Sequence, residues 1–226
     1  MTMNYEQLIQ SSNPMRSLLS IFKSSTPGPV EKVVEKTTLE PPPTTIPVAN
    51  KPAMPATGFC QLEPAYNLIM WVTGANRVGQ LANGSDFAVY QLNAGQMTTL
   101  DDFAGPKIEG EVVTAADYLY IDSSKEHASV NVKAVVKTTE GAMVYVSWTG
   151  HADIDDKMTA IFTQAPNAAT TPFGNITSSI SIEAGHPSLA ALGKGCFVGS
   201  GRFLLHEGKM AVETRISRVI APADDN

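Results

Sequence analysis

The predicted fold is organised around GPKIEGEVVTAADYLY, residues 105–120. A Gly-Pro turn leads into one short apolar run, and a second run opens at Asp117. The Thr-Ala-Ala junction between the runs has no helix cap and no room for a helix, so the stretch predicts two β-strands meeting at a tight corner. Alternation along the second strand places Tyr118 and Tyr120 on one face. Asp117 and Leu119 then share the other face.

The same pattern of short apolar runs separated by turn residues extends from Phe59 toward the C-terminus. Glycines in the links 138–141 and 206–209 predict hairpins, because Gly141 and Gly208 can supply a positive φ. Only residues 188–192 predict a helical turn. Many short strands with almost no helix predict an all-β fold, either a sandwich or an antiparallel β-barrel of calycin or lipocalin type. The barrel is favoured because closure leaves no long exposed edges. The ten predicted strands are 66–73, 86–92, 107–113, 117–122, 127–137, 142–149, 158–164, 176–184, 195–204 and 209–220.

The chain divides into three segments by composition. Residues 1–25 carry apolar side chains at helical spacing and predict a short amphipathic leader, which either docks on its own domain or clips onto a partner or membrane surface. Residues 26–57 are rich in Pro and Thr and lack aromatic residues, which predicts a disordered, semi-extended linker. Residues 58–226 form the predicted barrel domain.

Charge and composition exclude several classes of function. The net charge is −6 over 226 residues, and no Lys/Arg stripe is present to neutralise phosphates, so nucleic acid is not an expected partner. No apolar run is long enough to predict a membrane span. The N-terminus lacks the charged flank and apolar block of a secretory signal, which predicts a cytoplasmic protein.

The strand pattern by itself contains no catalytic triad, phosphate loop or metal cluster. His151 and Asp153 share one face of an extended segment, but no third ligand lies nearby, so neither a metal nor a cofactor is predicted. Asp117 stands at the start of a predicted strand, where an aspartate either closes a turn or serves as a site acid. The turn interpretation is favoured by the frequency of aspartate in turns.

Four blocks of sequence resemble a widespread bacterial and fungal β-barrel family of the DUF3237 type, catalogued as a domain of unknown function. The first block, GP…GE…ADY within residues 105–118, resembles the family's GP…GE…GADW. The hairpin TTEGAMVYV, residues 138–146, is similar to TDDGAxIYV. The stretches EAGHP, residues 183–187, and FVGSG, residues 197–201, resemble ETGxP and FVGxG. The order and approximate spacing agree over about residues 60–220.

The resemblance implies a compact antiparallel barrel with a central cavity. Fungal members occur in polyketide and meroterpenoid pathways, where they can act as cofactor-free cyclases that close oxygen heterocycles. This chain departs from the family between His186 and Phe197. Leu189, Ala191 and Gly193 stand where the family usually has Tyr, Trp and Asn, which implies a wider pocket and a bulkier substrate.

A cyclase of this kind needs an acid, polar groups around the reacting oxygen and a shaped apolar cavity. The candidate catalytic residues are Asp117 as the acid, with Tyr145, Lys133 and Arg202. The alternative for Lys133 and Arg202 is a strand position that faces water, which is equally favoured. Lys133 stands where the family commonly has Arg. The candidate substrate-binding residues are Trp71, Tyr118, Trp148, His186 and Phe197. Glu183, His186 and Glu213 are the next acids or bases to consider.

Two functions fit these residues equally well. The first is a cofactor-independent cyclase or isomerase acting on a polyketide or meroterpenoid intermediate. The second is a carrier or sensor that binds a small hydrophobic aromatic or polyketide-derived ligand without turnover. A third, less favoured, is an assembly protein whose leader swaps onto a neighbouring barrel. A homodimer is expected, because barrels of this kind often pair through strand faces and the leader offers an apolar stripe.

Overall fold

The computed structural model describes residues 57–222. Within them, segments in which apolar and polar side chains alternate form ten β-strands. The predicted leader and all but the last residue of the predicted linker lie outside the described residues. The strands are β1 (Gln61–Trp71), β2 (Gly74–Gln80), β3 (Asp86–Gln91), β4 (Ala94–Thr99), β5 (Glu109–Ile121), β6 (His127–Thr138), β7 (Met143–Asp153), β8 (Ile176–Ala184), β9 (Phe197–His206) and β10 (Lys209–Ile220). One α-helix, α1 (Asp156–Phe162), and two 3₁₀ turns, Pro187–Leu189 and Leu192–Lys194, complete the described elements.

Eight of the strands close into an antiparallel barrel. They follow the order β5-β6-β7-β8-β9-β10-β1-β4, and β4 pairs with β5 to complete the circle. One edge of β5 is divided, because residues 109–111 pair with β4 and residues 116–121 pair with β3. The hairpin β2–β3 therefore lies outside the closed circle, and β2 pairs with β3 alone among the described strands. The predicted all-β antiparallel barrel is confirmed.

Each end of the barrel has its own core. The larger core surrounds Tyr66, Val146 and Phe197 and is closed by the 3₁₀ residues Leu189 and Leu192. The smaller core lies at the opposite end, where Met158, Ile161 and Phe162 of α1 pack onto inward-facing strand residues. Helix α1 thus closes one end of the barrel, and the candidate site lies inside the barrel next to this helix.

The predicted corner in the central stretch is wrong, because β5 runs without interruption from Glu109 to Ile121. The Thr-Ala-Ala junction is instead a β-bulge, seen as a register shift between Val112 and Thr114 relative to β6. A bulge bends and twists a strand while the ladder continues on both sides. The bulged region is held by Asn93, whose side-chain oxygen accepts the backbone N–H of Ala115 at 2.9 Å.

The predicted strand 158–164 is also wrong, because this segment forms α1. Asp155 caps the helix by accepting the backbone N–H of Met158 at 2.8 Å, a bond that an extended segment would not make. The buried residues Met158, Ile161 and Phe162 recur at helical spacing. Packing of this face against the barrel end overrides the β-branched content of the segment.

Strands β2 and β4 were not predicted. Both contain glycine and several polar residues, and neither shows a run of apolar residues. The two predicted hairpins are confirmed, with Gly141 at φ +86° between β6 and β7 and Gly208 at φ +73° between β9 and β10. Among residues 57–222, no helix has the length and apolar character that crossing a bilayer would require.

Candidate functional site

An apolar cavity of about 50 Å³ lies inside the barrel next to α1. Its wall consists of inward-facing strand residues together with Met158 and Phe162 of the helix. Few polar side chains reach it: Tyr90, Asp117, Ser178 and Thr214. A mostly apolar cavity with a small set of convergent polar groups is typical of a small-molecule site.

The bulge in β5 directs Asp117 into this cavity. Val112 faces inward, and strict alternation from that residue would turn residue 117 outward. The one-residue shift between Val112 and Thr114 reverses the parity, so that Asp117 lines the cavity. Tyr118 and Tyr120 lie on the opposite, exposed face, which agrees with the alternation predicted for the second half of the stretch.

A single hydrogen bond to the described residues holds the Asp117 carboxyl group, in which Oδ1 accepts the backbone N–H of Asn131 at 3.0 Å. Burial beside the apolar cavity raises the pKa of Asp117 to about 7, and the bond from Asn131 offsets only part of this rise. Near neutral pH both protonation states are populated, so the group can give or take a proton. The favoured prediction that Asp117 closes a turn is wrong, because the residue lies within β5.

Tyr90 lies directly opposite Asp117 and was not predicted as a site residue. The two residues are paired in the β3–β5 ladder, and both line the cavity. Tyr90 is 4% exposed, and its hydroxyl has no hydrogen-bond partner among the described residues. Burial, together with the nearby negative charge of Asp117, raises its pKa well above the usual range. The sequence carried one signal for an inward-facing Tyr90. It stands two residues from the apolar Ala88 and Leu92, which are also buried.

Of the nine predicted site residues, Asp117 and Trp148 line the cavity. Tyr145 does not, because it alternates with the buried Val144 and Val146 and lies 38% exposed on the outer face of β7. Trp71 does not line the cavity either, because its sequence neighbours Met70 and Val72 face the cavity and Trp71 points the other way.

The predicted cationic groups lie on the outside of the barrel. Lys133 is exposed on β6 between the buried Val132 and Ala134. Arg202 contacts Glu213 on the neighbouring strand, with 2.6 Å between its Nη2 and Oε2 of the glutamate. Glu213, one of the further candidate acids, is 2% exposed and also binds Arg215. It is therefore held in an ion-pair cluster away from the cavity.

The remaining predicted residues also lie away from the cavity. Tyr118 faces outward, as described above. Phe197 packs in the larger core, with its ring centroid 6.1 Å from that of Tyr66. His186 is exposed and caps a 3₁₀ turn, where its Nδ1 lies 2.8 Å from Ser188 Oγ. Glu183 is exposed on β8.

His151 and Asp153 do not form a pair with each other. His151 lies exposed on the outer face of β7, and Asp153 Oδ1 lies 2.9 Å from Nδ1 of His127. Within residues 57–222, no three His, Cys, Asp or Glu side chains come together in a way that could hold a metal ion.

Fold and site together define a closed antiparallel β-barrel with an internal apolar cavity that contains one carboxyl group of raised pKa. The chain belongs to the family described as protein of unknown function (DUF3237), whose model matches residues 60–219. The resemblance found in the sequence is thereby confirmed at the level of the family. A search of the curated proteins finds no match.

Several solved structures share this fold at low sequence identity. A conserved protein of unknown function from Rhodopseudomonas palustris has 19% identity and a TM-score of 0.57, covering 73% of this chain and 100% of that one. A β-barrel-like protein from Acinetobacter baumannii has 19% identity and a TM-score of 0.53, covering 71% and 96%. A protein of unknown function from Clostridium acetobutylicum has 13% identity and a TM-score of 0.56, covering 71% and 99%. At these identities the similarity establishes the fold alone.

Proposed function

We propose that the barrel binds a small oxygen-containing molecule in its cavity and isomerises it by closing an oxygen heterocycle, with Asp117 as the acid–base group and without a cofactor. The observation that carries the proposal is the position of Asp117, a carboxyl group with a pKa of about 7 in an otherwise apolar cavity. A general acid works best when its pKa lies near the working pH. The substrate class is a polyketide-derived or related aromatic intermediate.

The reaction needs no redox partner. A substrate hydroxyl oxygen forms a bond to the remote carbon of a carbon–carbon double bond conjugated with a carbonyl group. The electron pair of that double bond moves toward the carbonyl, and the proton lost by the hydroxyl group is balanced by one gained at the carbon beside the carbonyl. Asp117 moves this proton. Holding the two reacting ends together contributes on the order of 7 kcal/mol, and a positioned acid adds a factor of about 10²–10⁴.

The size of the cavity constrains how such a substrate enters. A volume of about 50 Å³ is below the roughly 300 Å³ or more of common ligand sites. Met70, Met158 and Met210 line the wall, and methionine side chains change rotamer easily to fit an irregular ligand. We expect the substrate to displace these side chains and Phe162 of α1, so that its reacting portion lies beside Asp117.

The proposal is tested with phenols tethered to unsaturated ketones, such as ortho-hydroxychalcones, which also cyclise slowly without a catalyst. The wild-type protein is expected to accelerate closure and to give one enantiomer in excess. Asp117→Asn keeps the size of the side chain but removes the transferable proton, so the rate should fall by a factor of about 10²–10⁴. Tyr118→Phe, on the outer face of the same strand, is the matched control and should retain the wild-type rate.

The second candidate function is a carrier or sensor, supported by the same cavity. A carrier would bind these compounds, release them unchanged and leave the racemic background reaction as it is. If the protein binds these compounds but neither accelerates ring closure nor gives an enantiomeric excess, the cyclase proposal is wrong and the carrier function is favoured.

We also propose that the protein acts as a cytoplasmic homodimer. Val113, Met143 and Tyr145 are exposed apolar side chains on the outer face of β5 and β7, close to Val135, which is paired with Tyr145 across β6 and β7. Such a patch favours association with a second copy. Light scattering of the wild type should give the mass of a dimer, and Tyr145→Lys should shift it toward a monomer.

A further inference from the structure

We infer that Tyr90 and Asp117 act as a pair of hydrogen-bond donors to one acceptor oxygen of the bound molecule, which is therefore a neutral carbonyl compound or its enol. This inference rests on the proposed function, because it assigns a substrate class to the same cavity. It adds a second residue, Tyr90, that contacts the substrate.

The geometry brings both donors to one place. Tyr90 and Asp117 are directly paired across β3 and β5, and both face the cavity. Side chains opposite each other in an antiparallel pair begin only about 4.5–5.5 Å apart at Cβ. Two groups so placed can reach a single atom that lies between them in the cavity.

Neither group is fully used by the protein. The Tyr90 hydroxyl is buried and has no partner among the described residues, an arrangement that destabilises the fold unless something else binds it. Asp117 accepts one bond at Oδ1 from Asn131, and the described residues offer it no second partner. When protonated, Asp117 can donate to a ligand beside the tyrosine, an arrangement suited to an oxygen that gains negative charge during reaction.

The charges around the cavity exclude an anionic ligand. The wall is apolar apart from its four polar side chains, none of which is a cation. Two basic groups at this end of the barrel, Arg77 and Lys125, are bound to Asp86. A carboxylate or phosphate would therefore meet Asp117 without a compensating positive charge. A ketone oxygen needs donors only, and two are available.

The test compares two probes of the same shape, cyclohexanone and methylenecyclohexane, which differ in having a carbonyl oxygen or a CH₂ group. Binding is followed by the fluorescence of Trp148 in a Trp71→Phe background, since Trp148 lines the cavity and Trp71 does not. The Trp71→Phe protein should bind the ketone more tightly than the hydrocarbon. Tyr90→Phe should weaken binding of the ketone by about threefold to tenfold and leave binding of the hydrocarbon unchanged.

The pH dependence supplies a readout that a purely structural tyrosine would not give. Preference for the ketone should decline as pH rises past about 7, because the carboxylate form of Asp117 no longer donates. Asp117→Asn retains an N–H donor, so its preference should not change with pH. Tyr90 is the other titratable group facing Asp117, and Asp86 and Arg77 lie beyond it on β3 and β2. The residues that β1, β6, β7, β8, β9, β10 and α1 contribute to the cavity wall include no Asp, Glu, Lys, Arg or His.

Each outcome decides between the two proposals. If Tyr90→Phe weakens the binding of both probes equally, or leaves the preference for the ketone unchanged, Tyr90 does not donate to the ligand and the inference is wrong. The cavity would still be a binding site. If neither probe binds the wild type, the proposed function fails together with the inference.

Discussion

Two carboxyl groups at the same end of the barrel have opposite surroundings. Asp86 on β3 is 3% exposed and binds Arg77 at 3.1 Å as well as Lys125. Burial raises the pKa of Asp86, but the hydrogen bonds and charges of Lys125 and Arg77 outweigh it and leave the pKa below its usual value. Among residues 57–222, Asp117 on the neighbouring β5 has one backbone donor and no cation as a partner, and its pKa is raised to about 7.

The comparison shows that partners, and not burial alone, decide the charge of an inward-facing aspartate. Asp86 stays ionised and ties the β2–β3 hairpin to the loop that carries Lys125, so its role is structural. Asp117 faces a cavity in which a neutral carboxyl group is stable near neutral pH. An acid with a raised pKa in a cavity is a candidate functional group, whereas a paired acid with a lowered pKa is typical of a structural role.

The largest effect is expected from breaking the Asp86 cluster. Lys125→Met keeps an apolar stem but leaves the buried carboxylate with Arg77 as its remaining ion-pair partner. The free energy of unfolding at pH 7 should fall by about 2–3 kcal/mol, near the lower end for the loss of one partner from a buried pair. Urea denaturation measures it. Lys133→Met, at an exposed position, should change stability by less than about 0.5 kcal/mol. Equal effects in the two variants would contradict the structural role of Asp86.

The second effect concerns the pH dependence of stability, where the two carboxyl groups act in opposite directions. Between about pH 4 and pH 7 the folded protein holds a proton on Asp117 that the unfolded chain has lost, so stability should fall as pH rises. Asp86 instead contributes stability that is lost only as pH falls below about 4.

Asp117→Asn should remove the Asp117 contribution, reducing the stability difference between pH 4 and pH 7 by on the order of 2 kcal/mol. Thermal or urea unfolding across this range measures the slope. Asp102→Asn, at an exposed loop position, is the control and should keep the wild-type slope. An unchanged slope in Asp117→Asn would mean that Asp117 titrates normally in the folded protein.

The two carboxyl groups also show how far sequence reasoning reaches. The barrel was predictable because short apolar runs and glycine turns such as Gly141 are local signals, and because the family blocks agree in order. The inward direction of Asp117 was not, since it depends on a bulge at Val112–Thr114 that has no distinctive residue. A one-residue shift exchanges the two faces of a strand.

The alternation of side chains between the two faces of a strand also explains why several predicted site residues lie outside the cavity. Tyr145 and Trp148 are three residues apart on one strand and cannot share a face, and the buried Val144 and Val146 assign the cavity to Trp148. Arg202 was predicted as a polar group of the pocket, but its contact with Glu213 depends on a pairing between strands that spacing does not reveal. Tyr90 was missed because the lack of a hydrogen-bond partner is a property of the folded structure alone.

The smallest effect is expected from a comparison of two buried tyrosines. Tyr66 is fully buried, and its hydroxyl donates to the carbonyl oxygen of Pro106 at 2.8 Å, whereas the hydroxyl of Tyr90 has no partner among the described residues. Tyr66→Phe should therefore lower the free energy of unfolding by about 1 kcal/mol, because it leaves a carbonyl group without its donor. Tyr90→Phe removes a hydroxyl that contributes no described bond, so stability should stay within about 0.5 kcal/mol of the wild type or rise slightly. Urea denaturation of the two variants without ligand measures the difference. A loss in Tyr90→Phe as large as that in Tyr66→Phe would show that the hydroxyl of Tyr90 is bound inside the folded protein, by a chain group or by a trapped water. It would then not be available to a ligand.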